Sequence, residues 1–184
     1  LFSKHPCGSA LAHRVTMIAK DQAIVLVGPA GVGKTTVGKK LASALGFPFI
    51  DTDALFVRDH GSIANFFANH GESAFRKLEE EYLSFAIAQH GIVATGGGIV
   101  LSATNRATLK SAKVIYLKTD GTHMAKRISQ GNRPLLKNGI DDWRKLYDQR
   151  RELYEEVADI TIDCSGHPIK QTVSEIRTEL GSNE

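Results

Sequence analysis

Cysteine is nearly absent: Cys7 and Cys164 are the only two in 184 residues. They are too few for a disulfide framework and too far apart for a C-x-x-C pair, a pattern that suits a reducing compartment and points to the cytoplasm. No apolar run approaches the roughly 18 residues that span a bilayer, so no membrane partner is expected. Residues 1–16 lack the apolar stretch of a secretory signal and show no clear amphipathic period. A strong excess of one charge is missing too. The formal net charge is +3, and Lys4 and Arg14 supply two of those charges within the first 16 residues. That is no footprint for nucleic acid. There is no internal repeat and no low-complexity segment. What remains is ordinary for a soluble globular chain, with 42% apolar and 23% charged residues in a length that suits one domain and a real core. Met17 stands just before the first apolar run. The expected division is therefore a leader at 1–16, native or introduced by cloning, and a single domain at 17–184.

Short apolar runs alternate with helical periods along that domain. Residues 23–27 form a β-branched run suited to a buried parallel strand, and 49–51, 92–94, 114–117 and 159–162 are four further strand candidates with helical sequence between them. The pattern predicts an α/β fold, a five-stranded parallel sheet with helices on both faces. In such sheets ligands bind beyond the carboxyl ends of the strands, here just after Val27, Asp51 and Ala94. The helix predicted over 72–89 carries Phe75, Leu78, Tyr82 and Phe85 as its apolar stripe. The helix over 141–157 carries Trp143, Leu146, Tyr147, Leu153 and Tyr154. The Gly, Asn, Pro and Lys content of 131–139 predicts a mobile loop, a lid.

Gly28-Pro29-Ala30-Gly31-Val32-Gly33-Lys34-Thr35 matches G-x-x-x-x-G-K-[ST], after a strand and before a helix as its mechanism requires. Chance alone would give this match in well under about one chain in a hundred of this length. Backbone N–H groups from Gly31 through Thr36, together with the helix N-terminus, are expected to cradle the phosphates of ATP. Lys34 is placed to reach the β- and γ-phosphates, and the Thr35 hydroxyl to face Mg²⁺. Asp51 and Asp53 close the second strand at the same sheet edge and share a side if the extended geometry persists. One would hold a water of the Mg²⁺ shell and the other would take a proton from an acceptor hydroxyl. A turn plus a helix cap is the alternative reading. Gly96-Gly97-Gly98 suits a close approach of backbone to ligand. Arg133, in the predicted lid, is a candidate to stabilise the transferring phosphate. Arg150 falls inside the apolar stripe of its helix and Arg151 off it. A charge there needs a partner, either an anionic ligand or a structural carboxylate.

The stretches 62–68 and 71–79 resemble the shikimate kinase family closely. The order P-loop, Asp51-Thr52-Asp53, Phe75-Arg76, Gly96-Gly97-Gly98, Arg133-Pro134-Leu135-Leu136 and Arg150-x-x-Leu153-Tyr154 is also the family's order, over roughly residues 24–180. The resemblance implies a P-loop fold akin to nucleoside monophosphate kinases. It implies transfer of the γ-phosphate of ATP to the 3-hydroxyl of shikimate, with Mg²⁺, in aromatic amino-acid biosynthesis. By the same resemblance Asp53 is the base at the acceptor hydroxyl and Asp51 acts on Mg²⁺ through water. Arg76 and Arg150 grip the shikimate carboxylate, and Gly97 and Gly98 offer backbone contacts. Phe67 and Phe75 wall the pocket, and Glu79 braces Arg76. Lys34 and Arg133 act on the phosphates, Arg127 lies over the adenine, and the segment around Pro168 is the adenine loop. The expected enzyme is a monomer. A kinase for another hydroxylated acid such as gluconate is the second reading. A non-catalytic nucleotide-binding module is a third, which the presence of both Asp51 and Asp53 disfavours.

Overall fold

The computed structural model describes residues 22–128, 135–136 and 138–182. The leader at 1–16, Arg133 and most of the predicted lid lie outside the described residues. In chain order the elements are β1 (Ile24–Val27), α1 (Lys34–Leu45), β2 (Phe49–Asp51), α2 (Thr52–His60), α3 (Ile63–Ala88), β3 (Ile92–Ala94), a 3₁₀ turn (Ile99–Leu101), α4 (Ala103–Leu109), β4 (Lys113–Lys118), α5 (Met124–Ile128), α6 (Ile140–Val157), β5 (Ile160–Asp163) and α7 (Ile169–Ser182). The strands form one sheet in the order β2-β3-β1-β4-β5, with every pairing parallel.

Side chains alternate across a strand, and here the alternation sorts β1 between two cores. Val25 and Val27 join Val93, Val114, Tyr116, Leu83, Trp143 and Tyr154 on the face covered by α3 and α6. Ile24 and Leu26 join Ile115, Leu117, Leu41 and Ile176 on the face covered by α1 and α7. A strand buried on both faces has no polar side to display, which is why β1 reads as an uninterrupted apolar run. β1 is central, so the loop that follows it emerges where the strand order reverses, the crevice in which α/β sheets bind ligands.

Three expectations change. The strand at 49–51 does not continue through Asp53. Asp51 accepts a hydrogen bond from Ala54 N at 3.1 Å and caps α2, so Asp53 lies in the first helical turn and shares no strand face with Asp51. The predicted stripe of α3 is also out of phase. Its buried line is Phe75, Glu79, Leu83, Ala86 and Ile87, whereas Phe85 is 53% exposed. A buried carboxylate occupies one position of that line, so the apolar period pointed to the neighbouring face. α3 also begins earlier than predicted, at Ile63, and Gly71 (φ 79°, ψ 167°) breaks it just where the sequence suggested a start. In α6 the buried residues Trp143, Tyr147, Arg150 and Tyr154 follow the predicted stripe.

Candidate active site

Two cavities meet at the carboxyl edge of the sheet. One, of about 580 Å³, is lined by the P-loop together with Asp51, Asp53, Arg127 and Ile169. The other, of about 300 Å³, is lined by Phe67, Phe75, Arg76, Glu79, Gly98 and Arg150, among others. Ala30, Asp53, Gly96 and Gly97 border both. A site that must bring a phosphate donor and an acceptor together has this form, two compartments with a shared wall.

In the first cavity the helix dipole of α1 and the loop N–H groups favour an anion. Gly31, Gly33, Lys34, Thr35 and Thr36 line it. Val32 does not, because its side chain is buried in the core and only its backbone is available to a ligand. Lys34 Nζ donates to the carbonyls of Gly28 and Pro29 at 2.7 and 2.8 Å, which holds the ammonium within the loop. The Thr35 hydroxyl donates to Asp51 Oδ2 at 2.6 Å. Asp51 divides its two oxygens: one caps α2 and the other accepts from Thr35. A hydroxyl and a single carboxylate form a hard oxygen donor set of the kind Mg²⁺ takes when phosphates and waters complete its shell. Among the described residues no group of three or more His, Cys, Asp or Glu side chains could hold a metal, so a cage built wholly from those residues is not the alternative.

The second cavity is cationic at its polar end. Arg76 is paired with Glu79 at 2.8 Å and Glu72 at 2.9 Å, and its guanidinium lies 5.2 Å from the centroid of the Phe75 ring. Burial works against the charge of Arg76, but the two carboxylates outweigh it and raise its pKa. Burial raises the pKa of Glu79, with Arg76 opposing. Glu79 Oε1 is buried and has no hydrogen-bond partner among the described residues. A methyl at Gly96 would lie 2.8 Å from Asp53 Oδ1 and 3.2 Å from Glu79 Oε1, so the two carboxylates converge there. Arg150, 8% exposed, donates to the Gly97 carbonyl at 3.3 Å, and the Tyr154 hydroxyl donates to the same oxygen. Of the two partners foreseen for Arg150, a structural carboxylate acts only at a distance: no direct ion pair is seen among the described residues, yet the Arg150 charge works against burial to lower the pKa of Glu79.

The absence of a side chain at Gly98 leaves room for the Arg76 guanidinium. A Cβ built there falls 2.6 Å from Arg76 Cζ, and Arg76 is pinned by two ion pairs. Gly98→Ala should therefore displace the guanidinium and raise the KM for the acceptor about tenfold, while the KM for ATP changes by less than about twofold. Initial rates against each substrate in turn would check this. Equal effects on both would contradict it.

Sequence reasoning missed several cavity residues. Thr95 borders the nucleotide cavity and its hydroxyl reaches Leu26 O at 2.9 Å. Its place one residue past β3 was the available signal. Ile169, which also borders that cavity, carried none beyond its position after Pro168. Leu135 and Leu136, read from the sequence only as part of a motif, line the acceptor cavity.

A phosphate-binding loop joined through a shared wall to a compartment with two arginines and a carboxylate defines an ATP-dependent P-loop kinase that acts on a small molecule. A family model described as "Shikimate kinase" matches residues 30–181. The shikimate kinase of Streptomyces coelicolor is 46% identical over 147 residues, which cover 78% of this chain and 86% of that one. The shikimate kinase of Rhodococcus jostii is 42% identical over 161 residues, covering 85% and 96%. Among solved structures, shikimate kinase from Acinetobacter baumannii in complex with shikimate is 36% identical, with a TM-score of 0.86 and coverage of 92% and 98%. The chain belongs to the shikimate kinase family.

Proposed function

We propose that this kinase moves the γ-phosphate of ATP to the 3-hydroxyl of shikimate. The observation that carries the reading is the acceptor cavity. Arg76 and Arg150 offer two guanidiniums where a planar carboxylate would be held by paired N–H donors. Asp53 stands on the wall shared with the nucleotide cavity, and the unpartnered Glu79 Oε1 is an acceptor for a further hydroxyl or a water. A carboxylate on a ring with several hydroxyl groups meets all three features. That a relative with a TM-score of 0.86 was solved with shikimate supports the choice.

In this reading Asp53 accepts the proton of the attacking hydroxyl. Lys34 and the loop N–H groups hold the phosphates in line with it, and Arg133 and Arg127 act on the phosphates and adenine. Arg127 borders the nucleotide cavity, and Ile169, beside Pro168, borders it as well. Thr35 and, through water, Asp51 would hold Mg²⁺, which when bound would neutralise phosphate charge. The reading is completed by a monomer that acts in the cytoplasm without nucleic acid or a membrane. No helix of the described residues is long and apolar enough to cross one.

With MgATP, ADP release should be rapid with shikimate and slow with gluconate or nucleoside monophosphates. A coupled assay across such a panel tests this, and equal rates with gluconate would sink the assignment.

A further inference from the structure

The helix α6 touches both cavities through backbone carbonyls, at two places that the phosphoryl-transfer reading above does not use. Trp143 is 3% exposed, and its indole N–H donates to the carbonyl of Ala30 at 2.8 Å. Three turns further along, Tyr154, fully buried, donates its hydroxyl to the carbonyl of Gly97. Ala30 and Gly97 abut: a Cβ at Gly97 would fall 3.0 Å from Ala30 N. Both residues belong to the wall between the cavities. We propose that α6 is a two-point clamp, in which Trp143 positions the P-loop for nucleotide and Tyr154 positions the glycine turn for the acceptor.

The physical basis is peptide planarity. In a trans peptide the carbonyl and the following N–H point in opposite directions within one rigid plane. Holding the Ala30 carbonyl toward α6 aims the N–H of Gly31 away from it, and Gly31 lines the nucleotide cavity. Holding the Gly97 carbonyl in the same way aims the N–H of Gly98, which lines the acceptor cavity. Each clamp point sets one peptide plane, each on a different substrate's side. The side-chain chemistry suits this. An indole N–H is a donor only, and a buried one must find an acceptor, so a phenylalanine would serve the packing role of Trp143 without the donor.

The two points are also packed as one unit. Trp143 lies against Tyr147, with ring centroids 5.1 Å apart. The Tyr147 and Tyr116 hydroxyls are 2.6 Å apart, and Tyr116 stacks on Tyr154 at 5.2 Å. On its other side Trp143 meets Gly121, where an added Cβ would fall 2.8 Å from the ring. Leu136 packs against the same core. The clamp residues therefore have little room to rotate away from their carbonyls.

The inference rests on the kinase reading above, and its test separates the two. Trp143→Phe should weaken binding of a non-hydrolysable ATP analogue, measured by calorimetry, about three- to tenfold, the loss expected for one buried hydrogen bond. The KM for shikimate in that variant should stay within about twofold. Tyr154→Phe should do the reverse, raising the KM for shikimate about three- to tenfold and leaving analogue binding within about twofold. A residue that only filled the core would lower the melting temperature and move both constants together. Equal effects in both variants, or lowered melting with unchanged constants, would overturn the clamp. Should Trp143→Phe fail to fold, the wild-type protein decides. Trp143 is the chain's sole tryptophan, so its emission should shift when the analogue binds, and an unchanged spectrum overturns the nucleotide point. The nucleotide measurements need no acceptor, so a protein that bound the analogue as described yet ignored shikimate would refute the proposed function and leave the nucleotide point standing.

Discussion

Replacing Asp53 by Asn should lower kcat with shikimate by about 10²- to 10³-fold while MgATP affinity stays within about twofold. A positioned general base contributes a factor in this range, and it acts on the acceptor, so nucleotide binding has little stake in it. The substitution is nearly isosteric, and the cap of α2 is Asp51, so the helix should form as before. Asp53 borders both cavities, which is where a proton must leave the acceptor as phosphate arrives. Lys34→Ala gives the contrast, since it should damage MgATP binding and transfer together. Single-turnover rates with calorimetric titration of MgATP distinguish the patterns. Near-normal turnover in Asp53→Asn would end the base assignment.

Arg150→Ala should cut kcat/KM for shikimate by at least about tenfold, and Arg151→Ala by less than about threefold. The two are adjacent on α6, and each helical step turns the side chain by about 100°. The result is that Arg150 is buried at the acceptor cavity while Arg151 is exposed. A charge-assisted hydrogen bond is worth roughly 1.5 to 3 kcal/mol, whereas an exposed substitution moves stability by about 0.5 kcal/mol or less. Arg150→Lys should recover little, because an ammonium lacks the planar fork. The three variants need kcat/KM values for shikimate, with thermal melts to check folding. If Arg151→Ala were the more damaging change, the placement of Arg150 at the acceptor carboxylate would be wrong.

Much of the fold was legible because its signals are local. A P-loop is a contiguous motif, and a strand buried on both faces shows as an apolar run, so β1, its loop and α1 could be read without any partner. The stripe of α6 was legible for the same reason, even with an arginine inside it. The stripe of α3 was misread because its buried line includes a carboxylate, Glu79: the brace to Arg76 was expected and is made at 2.8 Å, but an apolar period has no place for a charged residue on the core-facing side. Asp51 and Asp53 were both read as site residues, and both line the cavity at the P-loop, but they were expected to share one strand. The capping bond to Ala54 N ends β2 between them, and a cap and a strand end compete for the same short stretch.

What the sequence by itself determined is the class of chemistry: a loop that binds phosphate, carboxylates at the same sheet edge, and a buried arginine in need of an anion. Each follows from residue type and spacing within one element. Only the tertiary structure decided how those pieces meet. Arg150 and Tyr154 converge on Gly97 from 53 and 57 residues away, and Trp143 reaches Ala30 across 113. Spacing fixes the face on which a side chain emerges. Which backbone carbonyl waits there depends on the packing of α6 against the sheet, and that packing is the joint result of contacts spread over the whole core.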